Sequence, residues 1–320
     1  MGVATHNPAA VADRRRAESH LGPSSPTVTT DYSRHSCKEN FHVLSWLLPP
    51  PLREDFANVY AFCRYADDLA DIAGTPTDAL RRLDDCEAEL RACFCGQPRH
   101  PIFIALRTTV DRRGLAIDPF LDLLSAFRQD QHMTRYERWP DLLDYCTHSA
   151  NPVGRVVLTM TTPGASPAAL RWSDATCTAL QLANFWQDVR RDILDLGRIY
   201  VPADVARAHG LSLEELRERV TGNATQPRGS DAAFVEAYRA TLADLCARTR
   251  QLFADGRQLL PLVGRDVRPT IALFSLGGES ILSRIAAIGY RTDLWRPRIG
   301  KLRKASLLLK ALFAHRWGSA

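Results

Sequence analysis

From Phe41 to the C-terminus, apolar residues recur at spacings of three and four, and strand-like alternation of apolar and polar residues is nearly absent. A chain with that pattern buries its apolar surface by packing helix against helix. The periodic stretches are 52–72, 78–95, 101–113, 118–130, 141–160, 167–196, 211–219, 231–260, 267–289 and 302–315. Turn chemistry separates them at Gly74-Thr75-Pro76, Gly96-Gln97-Pro98, Asp118-Pro119, Thr162-Pro163-Gly164 and Gly264. The spacing predicts an all-α protein with a single helical domain over residues 39–300. Residues 1–38, rich in Pro, Ser, Thr and Ala toward their start, read as a disordered leader.

Composition excludes several function classes. Charged residues make up 24% and apolar residues 45% of the chain, which is ordinary globular usage. No apolar run reaches the roughly 18–20 residues of a membrane span, and no secretory signal pattern opens the chain. The eight cysteines form no C-x-x-C pair, so neither a zinc site nor a disulfide framework is expected. Residues 291–320 carry net +7 of the total +5, leaving −2 elsewhere. Basicity confined to one end argues against a general nucleic-acid surface, and no nucleic-acid partner is expected. The tail, 301–320, alternates Leu302, Leu307, Leu308, Leu309, Leu312, Phe313 and Trp317 with five basic residues. Such a helix either docks on an anionic membrane or packs as a last helix on the core. The expected location is the cytoplasm, with peripheral contact at the inner face of the membrane under the first alternative.

One segment concentrates the chemistry. Asp67 and Asp71 stand four apart, on one face of a helix, where like charges cost a few tenths of a kcal/mol. The arrangement returns at Asn184, Asp188 and Asp192, three oxygen-bearing side chains in a single stripe. Two such stripes facing each other across a bundle would make an all-oxygen cage suited to Mg²⁺. A lone Asp-x-x-x-Asp pair is usually a solvated helix face. Two copies flanked by Tyr60, Phe62, Leu69, Leu182, Phe185 and Trp186 favour the metal.

The segments Tyr60-x-x-Cys63-Arg64-x-x-Asp67-Asp68-x-x-Asp71 and Gln181-Leu182-x-Asn184-x-x-x-Asp188-x-x-x-Asp192, then Gly197-Arg198-Ile199-Tyr200-Val201-Pro202, resemble the squalene/phytoene synthase family. The likeness runs from about Asn40 to Lys304. It implies an isoprenoid-synthase-type helical fold around a central apolar cavity. It implies that Asp67, Asp71, Asn184, Asp188 and Asp192 bind diphosphate through Mg²⁺, and that Tyr60, Arg64 and Gln181 sit at the cavity mouth. Arg198 and Tyr200 are carried over as substrate-binding residues. Phe41, Trp46, Phe62, Phe127, Phe185 and Trp186 are candidates for a wall that stabilises carbocations, with Phe41, Phe62 and Phe185 taken as substrate-binding.

Three details resemble one bacterial branch of the family, which serves hopanoid synthesis. Glu39-Asn40-Phe41 precedes Leu47-Leu48-Pro49, Ser149-Ala150-Asn151-Pro152-Val153-Gly154-Arg155 replaces the commoner Ala-Gly-x-Val-Gly, and Gln187 replaces an arginine before Asp188. The branch implies conversion of presqualene diphosphate and water into hydroxysqualene and diphosphate, acting on a C30 isoprenoid diphosphate. The alternatives are head-to-head condensation to presqualene diphosphate or phytoene, and a non-catalytic assembly factor. Against the last, all four aspartates are present. Gln187 is read as a catalytic position relieved of a second diphosphate. Pro152, inside a helical pattern, is expected to free the carbonyl of His148, and Asn151 to add an amide that holds the attacking water. Asp130, Arg135 and Tyr136 match a recurrent family segment, and a C-terminal basic residue falls at Arg296 or Arg298. Gly277-Gly278 fits no dinucleotide fingerprint, so no nicotinamide cofactor is expected.

Overall fold

The computed structural model describes residues 48–71, 74–222, 231–300 and 306–311. The leader, Phe41 and Trp46 lie outside the described residues, as does most of the tail. Eleven helices form the body of the described chain. They are α1 (Pro50–Asp71), α2 (Pro76–Phe94), α3 (Pro101–Arg113), α4 (Asp118–Gln129), α5 (Trp139–Ser149), α6 (Asn151–Thr161), α7 (Pro167–Arg191), α8 (Ala203–Ala208), α9 (Leu213–Thr221), α10 (Asp231–Gly256) and α11 (Arg268–Ala287). No strand forms among the described residues. One isolated parallel bridge, Arg135 to Ile199, ties the loop after α4 to the loop after α7.

The helix boundaries follow local chemistry. Thr75 and Ser166 cap α2 and α7 by accepting from Asp78 and Ala169 amides, with proline in the first turn of each. His100 accepts from the Ile102 amide at 3.3 Å to cap α3, which gives that histidine a structural use. Gly114 and Gly222 close α3 and α9 in the left-handed conformation.

One expectation changes. The stretch 141–160 is not one kinked helix: α5 ends at Ser149, Ala150 leaves helical geometry at φ −126 ψ −48, and α6 starts at Asn151. Pro152 therefore sits in the first turn of a new helix, where a missing N–H costs nothing.

Two apolar clusters build the interior. The first joins α1–α4 with α6 around Phe62, Phe103, Phe120, Leu83 and Leu90. The second surrounds α7 with α5, α10 and α11 around Trp186, Tyr238, Phe253 and Leu282. α7 is the central rod, packed by α6, α10 and α11. Gly154 lets α6 approach it closely, since a Cβ there would meet Ser173 Oγ at 2.5 Å and Cys177 Sγ at 2.6 Å. Gly278 lets α11 approach α10, where a Cβ would meet Phe253 at 2.3 Å, and α7, where it would meet Leu180 at 3.0 Å, while its neighbour Gly277 faces open space. In the segment 306–311, Leu307 and Ala311 are buried and Leu309 is 56% exposed, so one face of this segment is covered.

Candidate active site

α1 delivers the first stripe and the end of α7 the second. Asp67 lies half-buried, and burial first, then its neighbour Asp71, pushes its carboxyl up to about 6, against the opposing pull of Arg64. Asp192 is pushed up to about 7 by burial first and then by Asp188. Each stripe thus holds a carboxylate that water and neighbours do not satisfy as an anion, which is the environment a cation relieves.

Chain geometry at the second stripe departs from a regular helix. Asp192 begins a single π-helical turn, Asp192–Leu196, and Gly197 at φ 66 then reverses the chain. A left-handed residue is needed there, and glycine adopts it without a Cβ clash. The Arg198 amide returns to the Asp192 carbonyl at 3.0 Å, which turns the Arg198 side chain back into the site.

Arg198 is the hub. Its guanidinium donates to the Asp130 carbonyl at 2.9 Å, lies 3.5 Å from the Asp130 carboxylate, and 4.0 Å from Asp71. The same charge acts on Asp67 of the first stripe and Asp192 of the second. Arg198 thus joins the stripes in space, its guanidinium 4.0 Å from Asp71 of the first and its amide on the Asp192 carbonyl of the second.

Asp130, for which spacing assigned no role, is the hub's partner. Its carboxylate is 9% exposed and accepts from the Tyr145 hydroxyl at 2.9 Å. Burial raises it to about 6, opposed by Arg198 and Tyr145, and its second oxygen, Oδ1, is buried without a partner among the described residues. Tyr145, which the sequence reading did not single out, completes this cluster. It lies on the inward face of α5, where an apolar period hides a polar tip. Its ring joins Tyr136, Phe185 and Tyr200, the last two stacked at 3.8 Å.

The other expected residues divide. Tyr60 and Gln181 are half-buried on the faces that carry the stripes, and Asn184 is exposed. Arg64 pairs along its own helix with Asp67 at 2.9 Å and with Asp68. Phe185 and Tyr200 line the aromatic group beside Arg198. Phe62 does not reach the site: it is fully buried, edge-on to Phe103 and Phe120 at 5.8 and 5.2 Å. Its position on α1 turns it away from the aspartate face. Trp186 is likewise core, its indole donating to Thr249 at 2.8 Å.

Asn151 is 4% exposed and its carbonyl oxygen accepts from the Thr178 hydroxyl at 2.9 Å. Half of its amide is thus committed to joining α6 with α7. Gln187 is also buried, and its amide donates to the Pro297 carbonyl at 2.6 Å. Of the two C-terminal basic candidates, Arg296 reaches the site. It grips Asp188 through both carboxylate oxygens, with Nη2 at 3.0 Å. Arg298 is exposed.

The donor set fits Mg²⁺, with one correction. Among the described residues no three carboxylate, imidazole or thiolate groups converge on one point, so the chain does not form a closed cage. It offers carboxylate pairs, Asp67 with Asp71 and Asp188 with Asp192. A hard ion that keeps waters and shares its shell with phosphate oxygens suits such pairs.

The family model for squalene/phytoene synthase matches residues 34–303. A protein named hydroxysqualene synthase from Sinorhizobium fredii is 44% identical over 180 residues, 56% of this chain and 60% of that one. One of the same name from Rhodopseudomonas palustris is 38% identical over 222 residues, 69% and 70% of the two chains. The chain therefore matches less than two thirds of the Sinorhizobium relative's length. Among solved structures, a squalene synthase from Alicyclobacillus acidocaldarius superposes with a TM-score of 0.73 at 41% identity, covering 83% of this chain and 94% of that one.

Proposed function

The chain belongs to the squalene/phytoene synthase family, and from that membership we propose that it converts presqualene diphosphate and water into hydroxysqualene and diphosphate within hopanoid synthesis. Relatives at 38–44% identity bear the name hydroxysqualene synthase, which supports this branch over condensation. The observation that carries the reading is Arg198, a buried cation whose guanidinium lies 4.0 Å from Asp71 of the first stripe and whose amide bonds the Asp192 carbonyl of the second.

In this reading Asp67, Asp71, Asp188 and Asp192, with Asn184, would hold Mg²⁺, which when bound would supply positive charge against the diphosphate. Arg64, Arg198 and Arg296 add fixed positive charge against the leaving anion. The carbon–oxygen bond to diphosphate breaks with its electron pair leaving on oxygen, and the resulting cation rearranges in an apolar space. Phe185 and Tyr200, stacked beside Arg198, present ring faces to that charge. One water then adds its oxygen to the cation and gives up a proton. Asp130, raised to about 6 and buried, is placed through Tyr145 to take protons from this region. Bulk water must stay out until that step, or elimination and premature quenching compete. No nicotinamide is needed, because water rather than hydride ends the reaction.

Among the described residues no helix is long and apolar enough to cross a membrane. Peripheral contact at the inner face of the membrane is supported by Leu294 and Trp295, 43% and 58% exposed, beside exposed Arg296 and Arg298 and just ahead of the basic tail.

Separate incubations of the pure protein with presqualene diphosphate and farnesyl diphosphate test the reading. Hydroxysqualene from the first, with the second untouched and no nicotinamide added, is the expected result. Efficient formation of presqualene diphosphate or phytoene from a prenyl diphosphate alone would overturn the branch and leave the family intact.

A further inference from the structure

After α11 the chain runs without helix from Ile288 to Gly300, passing along the end of α7. Side-chain contacts shape this strap and hold it to the body. The Tyr238 and Thr292 hydroxyls meet at 2.8 Å, and Arg291 holds Asp293 at 2.9 and 2.8 Å. Arg190 reaches the Asp293 carbonyl at 3.4 Å, and Gln187 reaches the Pro297 carbonyl at 2.6 Å. The first three end at Asp293; beyond Trp295, among the described residues, the strap is held to α7 by the Gln187 contact to the Pro297 backbone and by the Arg296 side chain on Asp188.

Consecutive residues of α7 therefore hold consecutive residues of the strap: Gln187 takes Pro297, and Asp188 takes Arg296. Proline restricts the residue before it to extended backbone. Fixing Pro297 from below thus sets the direction in which the Arg296 side chain leaves the strap. We propose that Gln187 is a positioning residue whose amide, by clamping the Pro297 carbonyl, holds the Arg296 guanidinium at the diphosphate end of the second aspartate stripe. This rests on the diphosphate reading above and corrects the sequence-based placing of Gln187 among the catalytic groups. Gln187 is 7% exposed and its amide is turned to the strap. It acts through Arg296, which is 39% exposed and open to a ligand.

A double-mutant cycle on the full chain tests this. Binding of inorganic pyrophosphate with Mg²⁺ is measured by calorimetry for wild type, Gln187→Met, Arg296→Gln and the pair. Met keeps the volume and removes the donor. Gln187→Met should weaken binding about tenfold, the scale of one hydrogen bond, and Arg296→Gln about a hundredfold. The double variant should be no weaker than Arg296→Gln alone. With presqualene diphosphate, Gln187→Met should lower kcat and kcat/KM together by about tenfold, because Arg296 opposes charge that develops as the diphosphate leaves. Hydrogen exchange over 290–300 should quicken in Gln187→Met, with α10 and α11 unchanged. If Met at 187 prevents folding, Gln187→Leu, which likewise lacks a donor and adds no charge, carries the same cycle. Additive losses in the double variant would overturn the proposal and spare the diphosphate reading. A wild-type protein that binds no Mg²⁺–pyrophosphate would overturn both.

Discussion

Tyr145 donates its hydroxyl to Asp130 at 2.9 Å, on the same carboxylate oxygen that faces Arg198 at 3.5 Å. Tyrosine and arginine together keep a buried acid partly ionised, where burial alone would neutralise it. Tyr145→Phe removes the hydroxyl and should lower kcat on presqualene diphosphate about tenfold or more, with a stability cost of about 1–2 kcal/mol. Steady-state kinetics and urea unfolding check the two numbers. Wild-type kinetics would confine the pair to a structural role.

Asp67→Asn and Asp188→Asn should each lose orders of magnitude in rate while the helices persist, because the carboxylates serve charge rather than packing. Far-ultraviolet circular dichroism with turnover in excess Mg²⁺ is the measurement. Excess chelator should abolish turnover of the wild type. Retained activity in both variants would reduce the aspartates to surface charges.

The raised carboxyls carry a stability signature. Asp67, Asp130 and Asp192 sit at about 6, 6 and 7, above the ordinary carboxylate value. The folded chain then binds more protons than the unfolded one between about pH 4 and 7. Their contribution is complete below the unfolded values and is lost as pH rises through 6 to 7. Without divalent metal, the melting temperature should be higher at pH 5.5 than at pH 7.5. Saturating Mg²⁺ should shrink or reverse that difference. An unchanged profile on adding Mg²⁺ would detach these groups from the metal.

Gly154→Ala drives a Cβ into Ser173 Oγ and Cys177 Sγ, at 2.5 and 2.6 Å. Overpacking of this kind costs about 1–3 kcal/mol. Denaturant unfolding should show that loss, together with a shift of the Asn151–Thr178 contact one turn away. A neutral substitution would mean that α6 slides freely on α7.

Replacing Asn151-Pro152 with Gly-Thr should lower the yield of alcohol relative to eliminated hydrocarbons, if Asn151 holds the attacking water. The Thr178 hydroxyl already takes its carbonyl oxygen, so the amide nitrogen is the group under test. Product analysis by gas chromatography gives the ratio. An unchanged ratio would exclude the site without touching the metal assignment.

Much of this was legible in one dimension. Helix positions follow from apolar spacing, because a helix buries every third or fourth residue whatever it packs against. The aspartate stripes were visible for the same reason: residues four apart share a face in any helix. Local chemistry stops at the helix end. Pro152 reads identically inside a helix and at its start, and only the backbone at Ala150 distinguishes them.

The sequence by itself determined the helical class, the two acidic faces and the cations available to meet them. Tertiary structure alone decided which cation meets which face. Arg296 finds Asp188 across 108 residues, and Arg198 finds Asp130 across 68. It also turned Gln187 toward the strap and Phe62 into the core. Pairings between distant segments depend on how whole helices dock, and docking is set by the summed apolar contacts of many residues. No short motif encodes that sum.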